Sequence, residues 1–301
     1  MRQQNLGYLL AAVAGCLLST LGVLGKAAYA LGVDPLSVIS LRATIATAII
    51  GLTLAAVKPS SLRLRSADIP FFFTYGFIGI ALNYAGYFYA LKFTTVATAI
   101  TSLYTYPALV VVLAFAIYHE RITRAKSVAL LCTFLGIVLV ALGSSTIAVN
   151  GDLRGIGFGL LAGVATAIYV LAGKRALTKY DTKTALFYSF LSGSLALDAL
   201  RITRLGFTLT LNWSEMIVVL LIAIVPTVLG YGMLTYSLRF IEAGKASLAC
   251  SIEPAIAIYL AFLFFNEKPS PIQLAGSALI VLSVVLLQLR SESKTKIRAA
   301  Q

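Results

Sequence analysis

Apolar stretches ended by charged residues, proline or glycine recur ten times along the chain. Each approaches the roughly 20 residues that a helix needs to cross the hydrocarbon core of a bilayer. The predicted spans are Leu6–Leu31, Leu36–Val57, Ile69–Leu91, Thr95–Tyr118, Ser127–Leu142, Gly155–Ala172, Ala185–Leu200, Met216–Leu238, Ala246–Phe265 and Pro271–Leu289. The fifth and seventh are the shortest. The fold class is therefore an all-α integral membrane protein with ten transmembrane helices.

Sliding the chain along itself uncovers a duplication. At an offset of 147, Tyr89-Ala90-Leu91-Lys92-Phe93 lies on Tyr236-Ser237-Leu238-Arg239-Phe240, Tyr84 on Tyr231, Pro107-Ala108 on Pro254-Ala255 and Glu120-Arg121 on Glu267-Lys268. At an offset of 148, Gly7, Ala11 and Gly15 fall on Gly155, Gly159 and Gly163, and Gly25-Lys26 on Gly173-Lys174. A one-residue deletion around the second or seventh helix reconciles the two registers. The chain divides into residues 1–146 and 147–301, five helices each, and an odd number makes the second copy enter from the opposite side. Inverted halves of this kind offer two similar conformations, one open to each side, which is the basis of alternating access.

Composition narrows the class further. Of 301 residues, 59% are hydrophobic and 12% are charged, against about a quarter charged in soluble domains. Ten spans leave no room for a soluble catalytic domain, which excludes a transport ATPase or a receptor with a large ectodomain. The net charge of +13 is a matter of topology. With the N-terminus inside, seventeen Lys and Arg fall on inward segments and five on outward ones (Lys92, Arg154, Arg201, Arg204, Lys268). The positive-inside rule then places both termini in the cytoplasm of a multi-pass cell-membrane protein and leaves no call for a nucleic-acid partner. Cys16, Cys132 and Cys250 lie in apolar stretches without CxxC or Cys/His pairing, so neither disulfides nor zinc are expected. No cleavable signal is evident in the first apolar run.

Few polar groups lie within the spans. Glu253, beside Pro254 in the ninth, is either a ligand for a substrate amine or a proton, or a carboxyl bonded to a neighbouring helix; a charge there costs roughly 2.5–3.5 kcal/mol on insertion scales. Arg42 either snorkels or pairs structurally, or aims its guanidinium at a carboxylate in the transport path. Thr94, Thr98, Thr101 and Thr105 form a hydroxyl stripe on one helical face, lining a wet path or serving close packing. Asn83, Tyr84, Tyr87 and Tyr104, with Tyr231 as the repeat mate of Tyr84, form an aromatic and amide-rich region at mid-depth. Such walls suit small amphipathic organic solutes if they are not simply core. Asp198 and Arg201, three apart, are expected to neutralise each other, and the glycine series to provide close helix contacts. His119 reads as solvated, and the basic tail after Leu289 as lying against anionic lipid.

The "YALKF" stretch, the "YPAL...HER" pattern from Pro107 to Arg121 and "SIEPAIAIYLAFLFFNEKPS" from Ser251 to Ser270 resemble the drug/metabolite transporter superfamily, in its ten-helix branch of paired EamA-type domains. The resemblance covers nearly the whole chain. It implies a basket of ten helices around a central cavity and the movement of metabolites, in bacteria often amino acids outward.

Repeat and resemblance together predict a secondary transporter of small organic metabolites, with amino acids, aromatic ones included, as the leading cargo. No ATP site or other cofactor motif is present, so any driving force is a gradient, and the expected partners are a small-molecule substrate and the bilayer, with a monomer sufficient. A sugar-phosphate or nucleotide-sugar exchanger is the alternative within the class. From other classes, a channel calls for a charge ring or filter loop, and an intramembrane enzyme for a nucleophile, metal or paired-aspartate motif.

Overall fold

The computed structural model describes residues 2–93, 99, 102–142, 153–207, 211–265 and 269–299. Within them run ten helical spans: α1 (Arg2–Ala30), α2 (Pro35–Val57), α3 (Ile69–Gly76, Phe77–Leu82 and Asn83–Phe93), α4 (Tyr106–Tyr118), α5 (Arg124–Leu142), α6 (Leu153–Ala176), α7 (Thr182–Leu205), α8 (Trp213–Ile222, Ala223–Tyr231 and Gly232–Ser237), α9 (Ala243–Cys250 and Glu253–Phe265) and α10 (Pro271–Ala299). α5 and α7, short in the sequence, extend to 19 and 24 residues. An even number of spans puts both termini on one side, called here the terminal face.

Packing follows the inverted repeat. α1 lies on α8 and α9 as α6 lies on α3 and α4, while α2 pairs with α7 and α5 with α10, each with its own mate. Residues that touch their own repeat mates lie on the pseudo-twofold axis. The Thr47 hydroxyl bonds Ser194 Oγ at 3.3 Å, 147 residues away, and the rings of Tyr84 and Tyr231 meet edge to face at 5.9 Å. The axis thus passes between α2 and α7 and between α3 and α8. Asp34 caps α2 and Asp181 caps α7 through side-chain bonds to backbone N–H groups, again 147 apart. The register change therefore falls in the connection before each second helix, between Lys26 and Asp34 and between Lys174 and Asp181.

The fourth and ninth spans depart from the expected continuous helices. α4 begins at Tyr106 after a turn at Tyr104-Thr105, and α9 is interrupted at Ser251-Ile252. Pro107 and Pro254 explain both: proline lacks an N–H, and its ring clashes with the carbonyl four residues earlier, so a helix starts at it rather than running through. The carbonyls released are those of Leu103 and Cys250. Gly163 of α6 packs on the first and Gly15 of α1 on the second. The small-residue stripes thus bring two backbones up to two helix breaks. A Cβ at Gly15 would overlap the Cys250 carbonyl, whereas one at Gly22 on the same helix meets nothing within 4 Å. Gly15→Ala is therefore expected to destabilise by about 1–3 kcal/mol and Gly22→Ala not at all, read as shifts in thermal unfolding in detergent.

α3 and α8 each carry a π-helical segment at mated positions, Phe77–Leu82 and Ala223–Tyr231, a geometry often found beside functional sites. In α8, Pro226 cannot serve the carbonyl of Ile222, and the Thr227 hydroxyl takes it at 2.7 Å.

Candidate functional site

Arg42 is the most anomalous side chain in the bundle. It is 1% exposed, and none of its three guanidinium nitrogens has a hydrogen-bond partner. Its guanidinium carbon stands 3.7 Å over the centre of the Tyr84 ring, a cation–π contact that offsets only part of the cost of burying a charge. Among the described residues Arg42 neither reaches the surface nor pairs with a carboxylate, so it fits neither the snorkelling nor the structural-pairing reading. Tyr29, Tyr87 and Tyr231 all lie within electrostatic reach of it.

Glu253 opens the second segment of α9, where free backbone N–H groups and the helix dipole favour a negative charge. Tyr87 lies within electrostatic reach of both Glu253 and Arg42. Tyr104, at the α4 break, approaches the Glu253 carboxyl, yet its hydroxyl makes no hydrogen bond of full geometry. Arg42 and Glu253 form no ion pair with each other, so a buried cation and a carboxylate face the same tyrosine-lined region separately. The Tyr29 hydroxyl is likewise buried without a hydrogen-bond partner, while that of Tyr84 lies beside the Tyr231 hydroxyl and that of Tyr104 beside the Glu253 carboxyl. Groups left in this state are satisfied when a polar ligand enters.

Other sequence candidates divide differently. Asn83 donates to the Ala162 carbonyl at 3.2 Å and to the Thr166 hydroxyl, tying α3 to α6. Thr105 donates to the Ser102 carbonyl at 2.9 Å, healing the α4 break. Thr94, Thr98 and Thr101 lie outside the described residues. The expected Asp198–Arg201 pair does not form: Asp198 accepts from Ser40 and Thr44 of α2, and Arg201 donates to the Gly206 carbonyl at 3.4 Å. A hydroxyl pair facing Asp198 from α2 competes successfully with a cation that the last turn of α7 needs for its own carbonyl. His119 is exposed, at a left-handed helix end with φ 53°.

From the site, aromatic rings run without a gap to the terminal face. Tyr84 meets Tyr231, Tyr231 meets Tyr169 at 5.0 Å, Tyr169 meets Tyr75 at 5.3 Å, and Phe72 links Tyr75 to Tyr180. Thr235, fully buried, shares a 2.8 Å hydrogen bond with the Tyr169 hydroxyl. This column fills the space between the site and that face.

Sequence reading overlooked Tyr29, Tyr169 and Thr235, whose residue types are ordinary in a span, and it overlooked a charged cluster at the terminal face. There Lys126, 1% exposed, bridges Glu120 at 3.1 Å and Glu242 at 2.6 Å. Glu120 also accepts from the backbone N–H groups of Ala243 and Gly244 at 2.9 and 3.3 Å, capping α9. Burial works against the Glu242 charge, but the Lys126 and Lys245 ammonium groups outweigh it and hold that carboxyl below its ordinary value. Lys174 donates to the carbonyls of Leu238 and Ile241 at 2.6 and 2.8 Å, where α8 ends.

Comparison with known proteins places this geometry in context. The sequence matches the EamA-like transporter family twice, over residues 5–142 and 153–289. It is 29% identical to the threonine/homoserine exporter RhtA of Escherichia coli K12, over 93% of this chain and 92% of that protein. It is 26% identical to an uncharacterized transporter of Archaeoglobus fulgidus, over 84% and 88% of the two chains. A solved crystal structure shares the fold with a TM-score of 0.80 at 21% identity, covering 95% of this chain and 98% of that one.

Proposed function

The chain belongs to the EamA-like transporter family, and from that premise we propose that it moves small zwitterionic amino acids out of the cell by alternating access, with both termini in the cytoplasm. The observation that carries this reading is Arg42: a nearly fully buried guanidinium whose nitrogens make no hydrogen bond is suited to receive a carboxylate. Glu253 complements it for the ammonium group, with Tyr29, Tyr84, Tyr87, Tyr104 and Tyr231 as walls and hydroxyl donors. Similarity to a threonine/homoserine exporter favours amino acids as the class. A phosphate ester needs a second cation beside Arg42, but the other buried cation among the described residues, Lys126, already holds carboxylates at the terminal face.

Counterflow in proteoliposomes tests the proposal. Vesicles loaded with unlabelled threonine, homoserine or aromatic amino acids should accumulate trace labelled solute, and amino-acid esters, which lack the carboxylate, should compete weakly. Accumulation driven by sugar-phosphates and not by amino acids would replace the reading with the exchanger alternative. Glu253→Gln is expected to weaken accumulation of zwitterions more than that of deaminated analogues.

A further inference from the structure

At the terminal face the α2–α3 connection of the first half is tied to the α6–α7 connection of the second. Asp181 accepts from Ser61 at 2.8 Å and Lys58 at 3.4 Å, and Asp68 accepts from Lys179 at 2.9 Å and Tyr180 at 2.7 Å. Neutral bonds fix the same seam. The Thr184 hydroxyl donates to the Ser61 carbonyl at 2.8 Å, the Tyr188 hydroxyl to the Leu62 carbonyl at 2.5 Å, and the Arg65 N–H to the Tyr180 hydroxyl at 3.4 Å. Between the joined connections lies a cleft of about 190 Å³, lined by Arg65, Lys179 and Tyr180.

The cleft carries more positive charge than its own carboxylate neutralises. The Lys179 ammonium and the Tyr180 hydroxyl hold the Asp68 carboxyl below its ordinary value, so Lys179 is already matched. Arg65 and Arg175 are exposed, and neither guanidinium has an ion pair among the described residues. Arg175, four residues before Lys179, stands 5.7 Å over the ring of Phe71 in the first turn of α3. Arg65 also heads an apolar row. Ile69, Phe73 and Phe77 follow it at intervals of four, 53%, 60% and 45% exposed, with the two phenylalanine rings stacked at 6.1 Å. Residues four apart share one face of a helix, and on a membrane span an exposed apolar face meets acyl chains. The cationic cleft therefore sits at the rim of the bundle, where the lipid-facing surface of α3 reaches water.

We infer that this cleft binds one anionic phospholipid of the phosphatidylglycerol type, with its phosphate on Arg65 and Arg175 and its chains along Ile69, Phe73 and Phe77. The planar guanidinium suits phosphate oxygens, and basic pockets between span ends take anionic headgroups. The apolar row decides for a lipid over a soluble anion, which has nothing to place there. Because both halves build the cleft, the bound lipid bridges them. The inference is independent of the cargo and of the transport cycle.

The test uses the full-length chain with its sole tryptophan, Trp213, changed to phenylalanine and Phe73→Trp as the reporter, reconstituted in phosphatidylcholine containing phosphatidylglycerol. At equal mole fraction, brominated phosphatidylglycerol should quench the reporter as a lipid bound about fivefold more tightly than brominated phosphatidylcholine. Arg65→Gln/Arg175→Gln should remove the preference. Arg121→Gln/Arg124→Gln, which takes the same charge from the α4–α5 connection on the same face, should leave it unchanged. All four arginines are exposed, and thermal unfolding of each variant verifies that the bundle is intact. Equal quenching by the two lipids in the parent overturns the site. An equal loss of preference in the two double variants also overturns it, because that result is the general attraction of a basic face. If excess glycerol 3-phosphate removes the preference as fully as Arg65→Gln/Arg175→Gln does, the cleft belongs to a free phosphate and the lipid assignment falls.

Discussion

Arg42→Met is expected to reduce amino-acid counterflow by about 100-fold or more while raising the melting temperature of the protein. Both effects have one cause. In the empty transporter the guanidinium is buried without a hydrogen bond, a state that costs several kcal/mol, and an apolar side chain of similar length removes the cost. If an amino acid binds as proposed, the guanidinium would supply two parallel charge-assisted bonds to its carboxylate, and methionine would supply none. Loss of transport with gained stability is the signature of a functional charge. A structural arginine gives the reverse, lower stability with transport reduced in proportion, and differential scanning fluorimetry beside counterflow separates the two. Arg42→Lys retains the charge without the planar fork and should recover only a small part of the activity.

Lys126→Met is expected to have the largest effect on folding, about 3–5 kcal/mol of destabilisation, because it leaves the nearly buried Glu120 carboxylate without its cation. Glu242, 42% exposed, can turn to water. The double variant Lys126→Met/Glu120→Gln should recover part of the loss, since a neutral amide still accepts from one of the two N–H groups at the start of α9. Thermal unfolding of the two single variants and the double variant gives the coupling. Equal and additive losses would show that Lys126 acts elsewhere.

Much of the architecture was legible beforehand because membrane helices announce themselves. With no water to satisfy backbone groups, each span must be a long apolar helix, and the duplicated landmarks Tyr84/Tyr231 and Pro107/Pro254 carry over to the packing. Legibility failed where proline meets a helix. Pro107 and Pro254 were visible, but the breaks before them and the glycines that fill those breaks are relations between distant segments. The sequence likewise singled out Arg42, Glu253 and four tyrosines as candidate residues without showing which of them meet. Asn83 looked equivalent to Tyr84 and is instead engaged by α6, since whether an amide faces a path or a neighbour depends on helix rotation. Asp198 and Arg201 were matched by spacing alone, and the hydroxyls of α2 that displace Arg201 lie over 150 residues away.

By itself, then, the sequence determined what obeys one-dimensional rules: ten spans, an inverted duplication, an uneven distribution of Lys and Arg between inward and outward segments, and a shortlist of intramembrane polar residues. Tertiary structure alone decided which polar groups found partners. That left Arg42 unpaired over Tyr84, gave Glu120 and Lys126 to the start of α9, and joined the loops of the two halves on one face. The reason is physical: apolar periodicity is a property of a segment in its solvent, whereas hydrogen-bond satisfaction is a property of pairs brought together by folding.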